Sequence, residues 1–291
     1  NIQIMQNNAS LNLNQQNTSI HIGSFSINSR VISAPLAGIT DYVLRNLVRE
    51  YSKDCLVTTE MISSEGLAQR EISPISYSDG KESPISFQIS GHKPFLMAKA
   101  AKVLTPKADI IDINMGCPVN KIMKATDGCS LMKTPQVAFD IVKAVKEATD
   151  LPVTCKFRLG IKQEEINFVE FAEKMQDAGA SAVCIHARTR VQMYSGNADW
   201  KRVSELKGKI DIPYFINGDI TSVETAERAL EDVRFSLSTL LMVSCIAFLC
   251  LVECWFSGGM TVCLSRATAE RILPRLTDPA HIWPGRLRGI S

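Results

Sequence analysis

In the stretch DIIDINMGCPVNK, an apolar run ends at Asn114 and opens into a loop carrying Gly116 and Cys117 ahead of Pro118. A cysteine thiol has an ordinary pKa of about 8.5. At neutral pH it is mostly protonated, so it can act as a general acid as well as a nucleophile. Other apolar runs end in the same way: in Pro35, Leu36 and Ala37, in Gln88, in Lys156 with Arg158, in His186 with Arg188, and in Asn217, Gly218 and Asp219. Lys156 could neutralise a delocalised anion or form a Schiff base. His186 could hydrogen-bond a phosphate or a ring. In INGD, Gly218 lets backbone N–H groups face outward just before a helix start at Thr221, which makes a usable phosphate nest. Each of these also has a plain structural reading. A single strand-end lysine or histidine is commonly structural, Asn-Gly is a common turn, and a thiol can be buried and inert, as Cys129 in DGCSLM is expected to be. Their recurrence at successive strand ends points to one shared site.

The runs that must position them are short and apolar or β-branched: Val31–Leu36, Leu56–Glu60, Ile85–Ile89, Ile110–Asn114, Val153–Arg158, Ala182–His186 and Tyr214–Asn217. Helical spacing predicts helices at Lys93–Leu104 and Pro135–Thr149, each with Pro near its start. A third is expected at Glu164–Ala178, ending at Gly179. A fourth is expected at Thr221–Glu231, opened by a capping box of Thr221 and Glu224. Strands alternating with helices imply a parallel sheet, and continuously apolar strands imply burial on both faces. The fold class is α/β. A (β/α)8 TIM barrel with its eighth strand not recognisable is favoured over a doubly wound sheet, because no GxGxxG follows the first strand and the polar residues gather at C-terminal strand ends.

A net charge of +2 permits an anionic partner without demanding one. Nine cysteines, an odd number at irregular spacing, argue against a disulfide framework and fit a reducing cytoplasm. No CxxC pair occurs, so no metal site is expected. Residues 1–26 begin with an Asn/Gln-rich stretch that lacks the pattern of a signal peptide, and they are expected to form a disordered lead-in.

The motifs APLAGITD, FQISG, DINMGCPVNK, KFRLG, HARTRVQMYSGNADW and INGDI occur in this order. Together they resemble a tRNA-dihydrouridine synthase, most similar to the bacterial B type, over roughly residues 27–231. The resemblance implies an FMN-binding TIM-barrel domain over 27–232 that reduces the C5=C6 bond of uridine in tRNA, with NADPH or NADH as reductant. By the same resemblance Pro35, Leu36 and Ala37 line the flavin, and Gln88, Lys156 and His186 contact its ring or ribityl chain. Asn217, Gly218 and Asp219 lie beside its phosphate. Asn114 holds the uracil, Arg188 contacts the RNA or the uracil, and Cys117 gives the proton to C5 after hydride reaches C6. Two other readings stay open: a Schiff-base lyase using Lys156, and a non-catalytic, truncated barrel.

The character of the chain changes after Asp232. Four of the nine cysteines lie beyond it, and Arg266 to Ser291 contains Arg but no Lys. Residues 233–291 are therefore expected to be an atypical tail, from a frame change, a fusion or real divergence. This tail replaces the last strand, its Gly-Arg phosphate contact and the helical tRNA-binding domain. The uncharged run 235–252 approaches the length of a membrane span, but it lacks a flanking Lys/Arg cluster, so a membrane anchor is the lesser reading. Part of 235–255 could serve as a makeshift eighth strand. Weak FMN binding and little activity are expected of this chain.

Overall fold

The computed structural model describes residues 19–69, 77–118, 127–233 and 239–243. Among the described residues eleven strands run in chain order: β1 Ile20–Ile22, β2 Phe25–Ile27, β3 Val31–Ser33, β4 Val57–Thr58, β5 Ile62–Ser63, β6 Ile85–Ser90, β7 Ile110–Met115, β8 Val153–Arg158, β9 Ala182–His186, β10 Tyr214–Asn217 and β11 Thr239–Val243. The main sheet follows the order β3-β11-β10-β9-β8-β7-β6-β4, with β5 also paired to β6. Its pairings are parallel. The two ends of this path meet where the Ser33 N–H donates to the Leu56 carbonyl at 2.9 Å. The sheet thus curls into the α/β TIM barrel that the strand–helix alternation predicts.

Alternation along each strand divides two environments. Phe87, Ile89, Ile111, Ile113, Cys155 and Phe157 face outward into one large apolar cluster. There they meet Met97, Ala101, Ile141, Val145, Phe171 and Met175 of the helices Pro94–Leu104, Pro135–Ala148 and Phe168–Asp177. Pro94 and Pro135 occupy the first helical position, where a missing N–H costs no hydrogen bond. Gly179, at φ 103°, ends the third helix with its N–H on the Gln176 carbonyl at 2.9 Å.

Several expectations are corrected. The segment expected as one helix from Glu164 is a 3-10 turn, Gln163–Glu165, followed by the α-helix Phe168–Asp177. The last described helix is Val223–Asp232, and its capping box is Ser222 with Thr225 rather than Thr221 with Glu224. Thr225 Oγ1 accepts from the Ser222 N–H at 2.8 Å, so a short hydroxyl does the work expected of a carboxylate. Helices Tyr42–Tyr51 and Ser64–Gln69 have no counterpart among the predicted elements. The first is set by its cap, Asp41, whose Oδ1 accepts from the Leu44 N–H at 2.8 Å.

The lead-in is also ordered where it is described. β1 and β2 form an antiparallel hairpin. Its Ile20, Ile22 and Ile27 join Ile32, Ile110, Ala182 and Phe215 in a second apolar cluster at the end of the barrel where the strands begin. The hairpin plugs that end, which is why a polar N-terminal stretch gives way to isoleucines before residue 27.

β11 falls inside the run offered as a makeshift eighth strand. It pairs with β10 through Tyr214↔Thr239 to Asn217↔Met242 and with β3 through Leu241↔Val31 to Val243↔Ser33. Most of 233–291, including the rest of the apolar run 235–252, lies outside the described residues. Among the described residues, no helix is long and apolar enough to cross a membrane.

Candidate active site

A cavity of about 350 Å³ opens at the C-terminal ends of the strands. Every site residue named from the sequence lies on its wall. Pro35, Leu36 and Ala37 contribute from the segment after β3, Gln88 from β6, and Asn114 and Cys117 from β7 and its loop. Lys156, His186 and Arg188 come from β8, β9 and the loop after β9, and Asn217, Gly218 and Asp219 from β10 and its turn. Register explains the gathering. Gln88 pairs with Asp112, Asn114 with Lys156, Arg158 with His186, His186 with Asn217, and Asn217 with Met242.

Cys117 is held through its backbone. Its N–H donates to Asn114 Oδ1 at 3.0 Å, beside that of Gly116 at 3.2 Å. Its carbonyl accepts from the Cys129 N–H at 3.2 Å. Asn114 Nδ2 donates to Gln88 Oε1 at 2.8 Å, and Gln88 Nε2 donates to Asp112 Oδ2 at 2.6 Å. Asp112 also accepts from Thr154 Oγ1 at 2.6 Å. Burial raises the Asp112 carboxyl to about 6, against the opposing pull of the Gln88 and Thr154 hydrogen bonds and the Lys156 charge.

On the next strands, β8 and β9, stand Lys156 and His186. Burial lowers the pKa of Lys156 from its ordinary value, and among the described residues its ammonium forms no ion pair with a carboxylate. His186 is 8% exposed. Burial, and then the charges of Lys156, Arg158 and Arg188, push its pKa down to about 2, so the imidazole is neutral. Its Nε2 is buried and has no hydrogen-bond partner among the described residues.

The turn after β10 is built for close approach. Gly218 has φ 109°, and a Cβ there would meet the Ala198 Cβ at 3.1 Å and the His186 ring at 3.2 Å. Its carbonyl accepts from Trp200 Nε1 at 2.7 Å. Asp219 Oδ2 accepts from the Ala198 N–H and from Arg188 Nη2, both at 2.7 Å. Arg188 is buried and also donates to the carbonyls of Ser195 and Gly196. Its guanidinium thus ties the turn after β10 to the 195–196 loop.

Arg158, Tyr194 and Met242 are among the wall residues that received no role from the sequence. Arg158 Nε donates to the Gly116 carbonyl at 3.0 Å, and its Nη1 donates to those of Thr189 and Met193. Tyr194, 70% exposed, stands at the rim with its ring 5.7 Å from the Arg158 guanidinium. Met242 of β11 lines the wall, and its carbonyl accepts from Asn217 Nδ2 at 2.9 Å. Arg158, named from the sequence as a strand end together with Lys156, shares one face of β8 with Thr154 and Lys156. Among the described residues, no group of three or more His, Cys, Asp and Glu is arranged to hold a metal.

Fold and site define a (β/α)8 barrel with a cavity at the C-terminal ends of its strands, into whose wall polar side chains are set. Barrels of this kind recur among solved structures. An old yellow enzyme homologue from Zymomonas mobilis matches with a TM-score of 0.57 at 13% identity, covering 87% of this chain and 95% of that one. Morphinone reductase in complex with tetrahydroNAD matches with a TM-score of 0.55 at 11% identity, covering 87% and 93%. At such identities the likeness is one of fold. Sequence relatives are much nearer. A probable tRNA-dihydrouridine synthase 1 from Synechocystis sp. is 46% identical, over 73% of this chain and 61% of its own length. A tRNA-dihydrouridine synthase B from Shewanella oneidensis is 39% identical, over 73% and 66%. The dihydrouridine synthase (Dus) family model matches residues 32–234. The chain belongs to the dihydrouridine synthase family, and it spans about 61–66% of the length of these relatives.

Proposed function

We propose that this chain reduces the C5=C6 bond of uridine in tRNA to 5,6-dihydrouridine, using FMN and a nicotinamide reductant, NADPH or NADH. The observation that carries the reading is the thiol-bearing loop of Cys117, which Asn114 holds at the wall of a cavity that Lys156 and neutral His186 also line. Its place is the cytoplasm, where tRNA is found.

The wall residues fit FMN. His186 Nε2 is a buried polar atom awaiting a partner. Among the described residues Lys156 forms no ion pair with a carboxylate, and Gly218 leaves a cradle that a Cβ would fill. Pro35, Leu36 and Ala37 would flank the ring, Gln88, Lys156 and His186 would bind its polar edge or ribityl chain, and Asn217, Gly218 and Asp219 would lie beside the phosphate. When bound, FMN supplies the hydride that reaches C6 of the uracil. Cys117 Sγ–H delivers the proton to C5 of the resulting enolate and is left as a thiolate, which regains a proton from solvent. Asn114 orients the uracil, and Arg188 holds the loop that frames it. A uridine inside folded tRNA is reached only after it is extruded into the cavity.

Residues 27–232, closed by β11, form the FMN-binding barrel in this reading, with the rest of 233–291 in place of the helical tRNA-binding domain. No glycine occurs between Asp219 and Gly258, so the Gly-Arg contact expected to complete the phosphate site is missing. FMN is therefore held weakly. The test is to add excess FMN, NADPH and tRNA lacking dihydrouridine to the purified chain, then to measure flavin binding and dihydrouridine by mass spectrometry. Binding with slow product formation supports the proposal. Flavin binding with no product, or no binding at all, refutes it.

A further inference from the structure

We infer that Asp112, a buried carboxylate below the cavity floor, is a positioning residue that fixes the Cys117 loop through a relay of two side-chain amides. This inference rests on the role proposed for Cys117.

The relay has a definite direction. An ionised carboxylate only accepts hydrogen bonds, so at 2.6 Å from Asp112 Oδ2 the Gln88 amide must present its NH2 group. Its oxygen is then turned toward Asn114, which must answer with its own NH2 at 2.8 Å. The Asn114 oxygen is left facing the backbone N–H groups of Gly116 and Cys117, which it accepts at 3.2 and 3.0 Å. Reversing either amide would set donor against donor or acceptor against acceptor at a buried junction, where an unmade hydrogen bond is costly. Thr154 Oγ1, at 2.6 Å from the other carboxylate oxygen, holds the carboxylate plane. Asp112 is 4% exposed and Gln88 1%, so water does not compete at the first junction. Alternation along β7 puts Asp112 and Asn114 on one face. The carboxylate therefore interrupts the run IIDINM where it can brace the residue two places on.

Alkylation of Cys117 by iodoacetamide, quantified on its own peptide by mass spectrometry, reads loop position without FMN or turnover. In Asp112→Ala the Cys117 rate should rise about tenfold, the scale of one lost buried hydrogen bond, while buried Cys55 and Cys155 stay unreactive. In Asp112→Asn, whose amide oxygen can still accept from Gln88, the rate should stay within about twofold of the parent. If Asp112→Ala does not fold, Gln88→Met breaks the relay at its middle and should give the same rise. An unchanged Cys117 rate in the folded relay-breaking variant would overturn the inference. So would equal acceleration of the buried cysteines, which would mark general loosening, or failure of Asp112→Asn to rescue. If the parent chain forms no dihydrouridine, the proposed activity falls, yet the alkylation rates still decide whether the relay holds the loop.

Discussion

Burial first, and then three nearby cations, keep His186 neutral, and its Nε2 has no partner among the described residues. A neutral ring that offers one nitrogen to a cavity suits a polar cofactor. His186→Ala or Lys156→Ala should therefore weaken FMN binding by about 10- to 100-fold, the range of a lost hydrogen bond to a charged group. Fluorescence titration checks this, and an unchanged Kd in both variants contradicts the cofactor map. Asp112 makes a second prediction at this scale. Its folded pKa of about 6 lies above its ordinary 3.8, so the folded state holds that proton more tightly than the unfolded chain does. The favourable contribution is complete below the unfolded value and is lost as pH rises through about 6. Above that the ionised carboxylate costs on the order of 3 kcal/mol. Asp112→Asn should raise Tm at pH 8, and the gain should vanish near pH 4. An equal gain at both pH values would contradict the sign. A residue that costs stability at neutral pH yet stays ionised there suits a positioning role.

Among the elements, the turn after β10 shows how local geometry serves the cavity. Gly218 combines φ 109° with contacts of 3.1–3.2 Å awaiting any Cβ. Gly218→Ala should cost about 1–3 kcal/mol, read as a lower urea midpoint, and should weaken FMN binding as the His186 ring is displaced. A variant of parent stability would contradict this account of the turn. The strand ends were legible because one rule, chemistry at the C-terminal end of each apolar run, found wall residues on successive strands from Pro35 to Asp219, while the loop residues Met193 and Tyr194 lay outside it. Asp112 escaped it because it lies two residues deeper in β7, where a charge reads as an interruption of the apolar pattern. Tyr42–Tyr51 was passed over although Leu44, Leu47, Val48 and Tyr51 recur at helical spacing behind the Asp41 cap. Ser222 and Thr225 displaced the expected cap pair because hydroxyls one residue further on reach the same N–H groups.

On the scale of the whole molecule, the barrel closes through β11, inside the apolar run expected to offer a makeshift eighth strand. Thr239–Val243 carries no family motif, yet it lies between β10 and β3 in full parallel register and brings Met242 to the cavity wall. Backbone hydrogen bonding and apolar side chains suffice for pairing, whereas binding a phosphate needs particular residues. Closure and phosphate binding are thus separable. Replacing residues 233–291 with a family-typical eighth strand and helical domain should raise FMN affinity and dihydrouridine formation, each by about tenfold or more, on the scale of a restored charge-assisted hydrogen bond. Equal affinity before and after the graft would show that the tail already completes the site. The central claim, that Cys117 is the proton donor, is tested most directly by separating the two half-reactions in Cys117→Ala. With excess FMN, reduction of the flavin by NADPH should match the parent, while dihydrouridine formed in tRNA should fall by about 10²-fold or more, as for a lost general acid. Equal product from variant and parent would contradict the account.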